Sequence, residues 1–94
     1  MAEFKVTNII DGDTFDVNPS WVWNGYEGTR IRPTKYDAPE MNTLAAIVAQ
    51  DKLQRLILGK TITLGAAYKL NHNRLVCDVY YNGKKLEDYF PEYK

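Results

Sequence analysis

The sequence has little of what marks a disulfide-rich, zinc-binding or membrane protein. Its single cysteine, Cys77, lies in an apolar run, so we expect a buried thiol with no disulfide partner. One histidine and one cysteine cannot form a Cys/His zinc site. We expect no membrane span because no run of about 18 apolar residues occurs. The N-terminal residues lack the pattern of a signal peptide. The location stays unknown: cytoplasmic is the default, and secretion is the alternative if a leader has been removed.

Net charge is also lacking. Twelve Lys and Arg residues balance twelve Asp and Glu residues, which excludes a strongly basic protein that holds nucleic acid by its overall charge. A local cationic patch is still compatible with this balance. The chain has 94 residues, of which 45% are apolar and 13% aromatic. This length and composition predict one globular domain over residues 1–94.

Short apolar segments separated by turn signals predict a mainly β fold. Asp11-Gly12 and Asn82-Gly83 are typical of tight hairpin turns, and residues 14–28 should form a long, irregular hairpin. Pro33 should require an edge position or a bulge, because proline cannot donate a ladder hydrogen bond. The predicted strands are residues 4–10, 14–17, 29–36, 61–64 and 75–81.

One helix is predicted between the third and fourth strands. Asn42 or Thr43 should cap its N-terminus, and Gly59 should end it. Three strands, one helix and two strands is the order of an OB-fold, a five-stranded barrel of the α+β class, although other small α+β folds share it. Spacings of three and four predict one buried apolar face, formed by Leu44, Ile47, Val48, Leu53, Leu56 and Ile57.

Carboxylates in two separate segments are candidates for a metal site. Asp13 follows the first turn, and Asp37 and Glu40 lie in a loop that Pro39 stiffens. Carboxylates that converge in a small barrel repel one another unless a cation joins them, and oxygen ligands select Ca²⁺ or Mg²⁺. The alternative is structural: aspartates serve turns, and acidic residues favour the start of a helix.

Three of the four arginines lie near these segments. Arg30 and Arg32 alternate along a strand and should face the same side, and Arg74 begins the last long apolar segment. A guanidinium suits bidentate recognition of phosphate, although a solvated strand face is equally compatible with the pair. The fourth, Arg55, should be solvated on the helix.

Three other residues are candidates for substrate contact. His72 could act as a general base, or it could be an exposed loop residue. Trp21 and Trp23 alternate along the long hairpin, so they could form a platform for stacked bases. They could also close one end of the barrel.

Taken together, the motifs resemble those of the staphylococcal (micrococcal) nuclease family, the thermonucleases. The chain contains, in order, IDGDT, R-x-R, DAPE, L-x-x-L-I-L-G-K and N-R-L-V-x-D-V-Y-x-N-G. The resemblance covers about residues 5 to 86. It implies an OB-fold and Ca²⁺-dependent hydrolysis of phosphodiester bonds in DNA or RNA, leaving 3′-phosphate ends.

The resemblance also implies a metal site. Asp13 and Asp37 match the two family aspartates that bind Ca²⁺, and Ala38 matches the residue that offers its backbone carbonyl. Asp11 is expected to shape the turn without contacting the metal.

Roles in catalysis follow from the same match. Glu40 matches the family glutamate that orients or deprotonates water. The family's first arginine lies five residues before the second metal-binding aspartate, which selects Arg32 rather than Arg30. Arg74 matches the second arginine. His72 stands where the family usually has a tyrosine that donates to phosphate.

The main alternative function is a non-catalytic OB module that binds single-stranded nucleic acid through Trp21, Trp23 and the arginines. A domain that folds fully only with a partner is a third interpretation. The neutral charge predicts weaker and less salt-dependent binding than in the basic family prototype. The sequence does not determine the oligomeric state.

The acidic C-terminal segment should form one helical turn over residues 86–90. Leu86, Tyr89, Phe90 and Tyr93 alternate with acidic residues at near-helical spacing. We expect their apolar side to cover the open end of the barrel, in place of further helices that the family prototype has. A frayed chain end is the alternative.

Overall fold

The computed structural model of the chain describes residues 2–40 and 42–94. One α-helix, α1, spans Leu44–Ile57, and two 3₁₀-helices span Leu86–Tyr89 and Pro91–Tyr93. The six strands are β1 (Ala2–Asp11), β2 (Thr14–Trp23), β3 (Tyr26–Pro33), β4 (Thr61–Asn71), β5 (Arg74–Tyr81) and the two-residue β6 (Lys84–Lys85).

The first five strands close into a barrel. They lie in the order β3-β2-β1-β4-β5, and parallel pairing of β3 with β5 joins the two ends. All other pairs are antiparallel. The one α-helix of the described residues, α1, lies between the third and fourth strands, so this topology confirms the predicted OB-fold.

Several strand boundaries differ from the prediction because sheet pairing continues past local turn signals. β2 runs through Pro19 to Trp23, with an irregular register between Asp16 and Trp21. β4 has 11 residues, since its second half pairs with β5 across two register shifts. Pro33, predicted to lie at an edge or a bulge, is beyond the β2–β3 pairing, whose last pair at this end is Phe15 with Ile31. Pro33 is the last residue of β3, paired with Cys77 at the end of the parallel ladder.

The ends of α1 follow the sequence signals. The hydroxyl of Thr43 accepts a hydrogen bond from the backbone N–H of Ala46 at 3.0 Å, so Thr43 is the N-cap. Gly59, just beyond the helix, has a φ of +77°, a left-handed conformation that glycine adopts without strain.

The predicted single apolar face of α1 is wrong in its first half. Ala49, Leu53 and Ile57 are buried against the barrel, at a spacing of four residues. Leu44, Ile47 and Val48 instead have exposed fractions of 57 to 77%. They lie on a second stripe, rotated away from the barrel, which the spacing alone did not separate from the first.

The buried core fills the barrel and extends to the C-terminal segment. Cys77 is fully buried, and burial raises the pKa of its thiol to about 12, as expected for a thiol that acts as a small apolar residue. No helix in the described part of the chain is long and apolar enough to cross a membrane.

The C-terminal segment belongs to this core. Leu86 and Phe90 are 1% and 0% exposed, which confirms the predicted turn and excludes a frayed end here. The ring of Phe90 stacks on Tyr36 with centroids 4.7 Å apart and planes 2° from parallel. The ammonium group of Lys52 lies 4.6 Å from the Phe90 ring centre.

Phe90→Ala should therefore destabilise the protein by about 3–5 kcal/mol, since it removes a fully buried aromatic ring and leaves a cavity. Val22→Ala, at a position 72% exposed, is the control and should change stability by less than about 0.5 kcal/mol. Urea unfolding followed by circular dichroism measures both. Equal stability of Phe90→Ala and wild type would show that the segment does not support the fold.

Candidate active site

The site begins where the β1–β2 turn packs against the loop of residues 34–40. The Tyr36 hydroxyl donates to the Gly12 carbonyl at 3.0 Å, and both residues are buried. A Cβ atom on Gly12 would come within 2.7 Å of the Cβ atoms of Ala38 and Ala49. Glycine is required here by this close approach. The contact fixes Asp13, the next residue, beside the loop that carries Asp37.

Asp13 is held on several sides. The carboxylate of Asp11 accepts a hydrogen bond from the Asp13 amide at 3.0 Å, which confirms the expected turn role of Asp11. The Asp13 carboxylate accepts from the Ala38 amide at 3.1 Å and lies 3.5 Å from the Arg32 guanidinium. Burial, aided by the Asp11 carboxyl, raises the pKa of Asp13, although the Ala38 amide and Arg32 act in the opposite direction.

Asp37 reaches the same guanidinium from the loop. Its side chain is 86% exposed, but its backbone N–H donates to the Tyr93 carbonyl at 3.0 Å, so the C-terminal segment fixes its main chain. The Asp37 carboxylate accepts a hydrogen bond from Nη2 of Arg32, the nitrogen that Asp13 also contacts. Two carboxylates from separate segments thus converge on one point.

The two matched arginines differ in how their donors are used. Nη1 of Arg32 donates to the carbonyls of Pro33 and Tyr36, and its Nη2 is taken up by the two aspartates. Arg74 donates from Nε and Nη2 to Asn71, and from Nη1 to the Thr14 hydroxyl at 2.9 Å. A guanidinium has five N–H groups. These three bonds fix the Arg74 side chain, and its other two N–H groups have no partner among the described residues.

Arg32 and Arg74 line one open cleft of about 590 Å³ on the barrel wall. Among the described residues, its lining contains one acid, Asp37, and five cations: Arg32, Lys35, Lys69, Arg74 and Lys94. A chain without net charge therefore concentrates positive charge at this cleft, which suits a phosphate-bearing ligand.

The two aspartates suit a hard cation but do not form a complete set of ligands for it. Their carboxylates meet at one position that a positive group already occupies, and all the donors are oxygens. Among the described residues, no three His, Cys, Asp or Glu side chains are close enough to form a complete metal cage. A cation here would therefore need backbone carbonyls, water or substrate oxygens as further ligands.

The structure places other predicted residues farther from this point. Glu40 is exposed and does not line the cleft formed by the described residues; its carbonyl accepts from Thr43 at the helix start. His72 and Asn73, both at positive φ, form the exposed turn between β4 and β5, directly before Arg74. Arg30 pairs with Asp16 across the sheet at 3.1 Å, separate from the two aspartates.

The two tryptophans differ in their surroundings. Trp21 is 4% exposed, its indole N–H donates to the Arg30 carbonyl at 3.0 Å, and Gly28 packs against its ring. This burial favours the packing interpretation for Trp21, because a stacking ring needs an accessible face. Trp23 is partly buried against the core.

The sequence interpretation missed Tyr36, Lys35, Lys69 and Tyr93. No motif in the sequence marks Tyr36, which follows the R-x-R segment. Its importance for the site comes from its burial. Lys69 lies in the half of β4 that was not predicted as a strand, so its alignment with Arg32 was not evident. Tyr93 reaches the site only because the C-terminal segment folds back.

Comparison with known proteins identifies two relatives but no family. No protein-family model matches the chain. Two curated proteins, from Escherichia coli O157:H7 and Escherichia coli, are each named an uncharacterized endonuclease. Each is 30% identical over 76 residues, covering 81% of this chain and 46% of the relative. The chain therefore spans about half the length of the curated relatives it matches.

Asp13→Asn should raise the free energy of unfolding at pH 7. Because the folded-state pKa of Asp13 is raised, its ionised form costs folding free energy at every pH above that value. An asparagine removes the charge and keeps an oxygen for the Ala38 amide. The gain over wild type should shrink as the pH falls through the folded pKa and vanish below the ordinary value of 3.8.

Urea unfolding at several pH values checks this expectation. The control is Asp51→Asn on the helix surface, whose side chain is 55% exposed, and which should have little effect at any pH. Lower stability of Asp13→Asn at pH 7 would mean that the contact with Arg32 outweighs the cost of burial.

Proposed function

We propose that this chain is the barrel of a Ca²⁺-dependent nuclease that hydrolyses phosphodiester bonds in DNA or RNA. The observation that carries the proposal is the convergence of Asp13 and Asp37 on Arg32, beside a fixed Arg74 in a cationic cleft. The similarity to two proteins named as endonucleases supports it. The resemblance to the thermonucleases suggests 3′-phosphate products.

Asp13, Asp37 and the carbonyl of Ala38 would hold the cation. A bound Ca²⁺ would neutralise charge that builds on a phosphate oxygen. Asp13 is pre-positioned for this role, since the Ala38 amide fixes its carboxylate. Asp37 has an exposed side chain that can turn from Arg32 toward a cation while its backbone stays fixed.

The arginines would bind the phosphate. Arg74 offers two N–H groups from a side chain that three hydrogen bonds already hold, so little reorganisation is needed as charge develops. Arg32 would be freed for phosphate when Asp37 turns to a cation that the fixed Asp13 also holds. Glu40, three residues after Asp37, would orient or deprotonate the attacking water.

Non-catalytic binding of single strands remains the alternative function. It would need no carboxylates that face a phosphate, and the burial of Trp21 removes one of its two proposed stacking rings. The geometry therefore favours the enzyme.

Calcium titration by calorimetry tests the metal site. Wild-type protein should bind Ca²⁺, and Asp13→Asn and Asp37→Asn should each lose the binding heat. Asp11→Asn is the matched control, because an asparagine keeps the oxygen that accepts the Asp13 amide and Asp11 is not a proposed ligand. An unchanged titration for Asp13→Asn would contradict the assignment.

Digestion of plasmid DNA and of RNA, with Ca²⁺ or with EGTA, tests the reaction. Arg32→Ala, Arg74→Ala and Glu40→Gln should each lower turnover on the order of 10²-fold, as loss of one preorganised charge does in other enzymes. Arg30→Ala should have little effect, since Arg30 pairs with Asp16. Cleavage by wild type that is equally fast in EGTA would exclude the calcium mechanism.

A further inference from the structure

Three lysines in the cleft lining are not used by its proposed chemistry, and one of them, Lys94, pairs with Asp88 at 2.7 Å. Lys35 and Lys69 are exposed and line the cleft together with Arg32 and Arg74. Within residues 2–40 and 42–94, neither lysine has a carboxylate within ion-pair distance. Five of the twelve cationic residues pair with acids in the described part of the chain: Arg30, Arg32, Lys52, Arg55 and Lys94. Two unpaired lysines at one edge of a cleft are therefore a candidate anion site.

The strand register sets the distance of this edge from the arginines. Arg32 on β3 pairs with Val76 on β5, and Val76 pairs with Lys69 on β4. Neighbouring strands lie about 4.8 Å apart, so the backbones of Arg32 and Lys69 are about 10 Å apart. Both residues line the same cleft, so Lys69 lies within reach of a phosphate close to the one that Arg32 would contact.

An aromatic ring stands next to Lys69. Tyr68 is 54% exposed, and its hydroxyl donates to the Asp78 carboxylate at 2.9 Å. The other oxygen of Asp78 accepts from the hydroxyl of Thr34, which lines the cleft, at 2.6 Å. The ring is thus anchored at the cleft edge with much of its surface open. The carboxylate of Asp78 disfavours a phosphate at this end and is compatible with a base.

We propose that Lys35, Lys69 and Tyr68 form a flanking subsite for single-stranded nucleic acid. The lysines bind a phosphate near the one that Arg32 and Arg74 engage, and a neighbouring base stacks on Tyr68. This inference rests on the proposed function, because it takes the Arg32–Arg74 end of the cleft as the reacting phosphate. It adds a substrate class: a base must be unpaired to stack, so single strands are preferred to duplexes.

Fluorescence anisotropy with a labelled oligothymidylate of about twelve nucleotides, within the size range of OB-fold sites, tests the subsite. The full chain is titrated in EDTA at several salt concentrations. Lys35→Gln and Lys69→Gln should each weaken binding about fivefold at low salt. Each should also make the slope of log affinity against log salt less negative by about 0.7, the loss of one phosphate contact.

Two matched controls separate a subsite from general charge. Lys60→Gln removes the same charge from an exposed lysine that does not line the cleft, and its affinity should stay within about twofold of wild type. Tyr68→Phe keeps the ring and should bind like wild type, whereas Tyr68→Ala should lose at least about fivefold. A duplex should bind more weakly and should not respond to Tyr68→Ala.

The outcomes distinguish this inference from the proposed reaction. Any one of three results would overturn the subsite, even if the protein cleaves DNA. The first is wild-type affinity in Lys35→Gln and Lys69→Gln. The second is an equal loss of affinity in Lys60→Gln, and the third is wild-type affinity in Tyr68→Ala. If the cleft variants lose binding but wild type does not cleave with Ca²⁺, the subsite stands and the proposed hydrolysis fails.

Discussion

The site depends on the close contact of the β1–β2 turn with the loop of residues 34–40. Gly12 has no side chain, which lets Ala38 and Ala49 approach, and its carbonyl accepts the buried Tyr36 hydroxyl. A polar group buried without a partner is costly, so this hydrogen bond also fixes the register of the contact. Asp13 owes its position beside the 34–40 loop to this packing.

The same contact extends to the C-terminal segment. Tyr36 stacks on Phe90, and the Tyr93 carbonyl accepts the Asp37 amide. The segment therefore supports both sides of the aspartate pair, through the ring of Tyr36 and the backbone of Asp37. Core packing and site geometry are coupled in a domain this small, because the residues that fill the core also hold the functional loop.

Charged side chains in the site pair with groups of opposite charge. Asp13 is buried enough to raise its pKa, and Arg32 compensates part of that cost. Arg32 and Asp37 present opposite charges to each other at the edge of the cleft. A cation could therefore replace Arg32 as the partner of Asp37, and a phosphate could replace Asp37 as the partner of Arg32. Arg74 is different: neutral oxygens hold it, so its positive charge stays available to a ligand.

Local sequence signals determined much of the fold. The turns at Asp11-Gly12 and Asn82-Gly83, the Thr43 cap and the alternating apolar residues are short-range effects, and the strand and helix order followed from them. The choice of Arg32 over Arg30 came from the family resemblance and stays a prediction. Only the tertiary structure decided which apolar stripe of α1 is buried, that Trp21 is in the core, and that Lys69 aligns with Arg32. These properties depend on pairing between distant segments, for which spacing along one strand or helix contains no information.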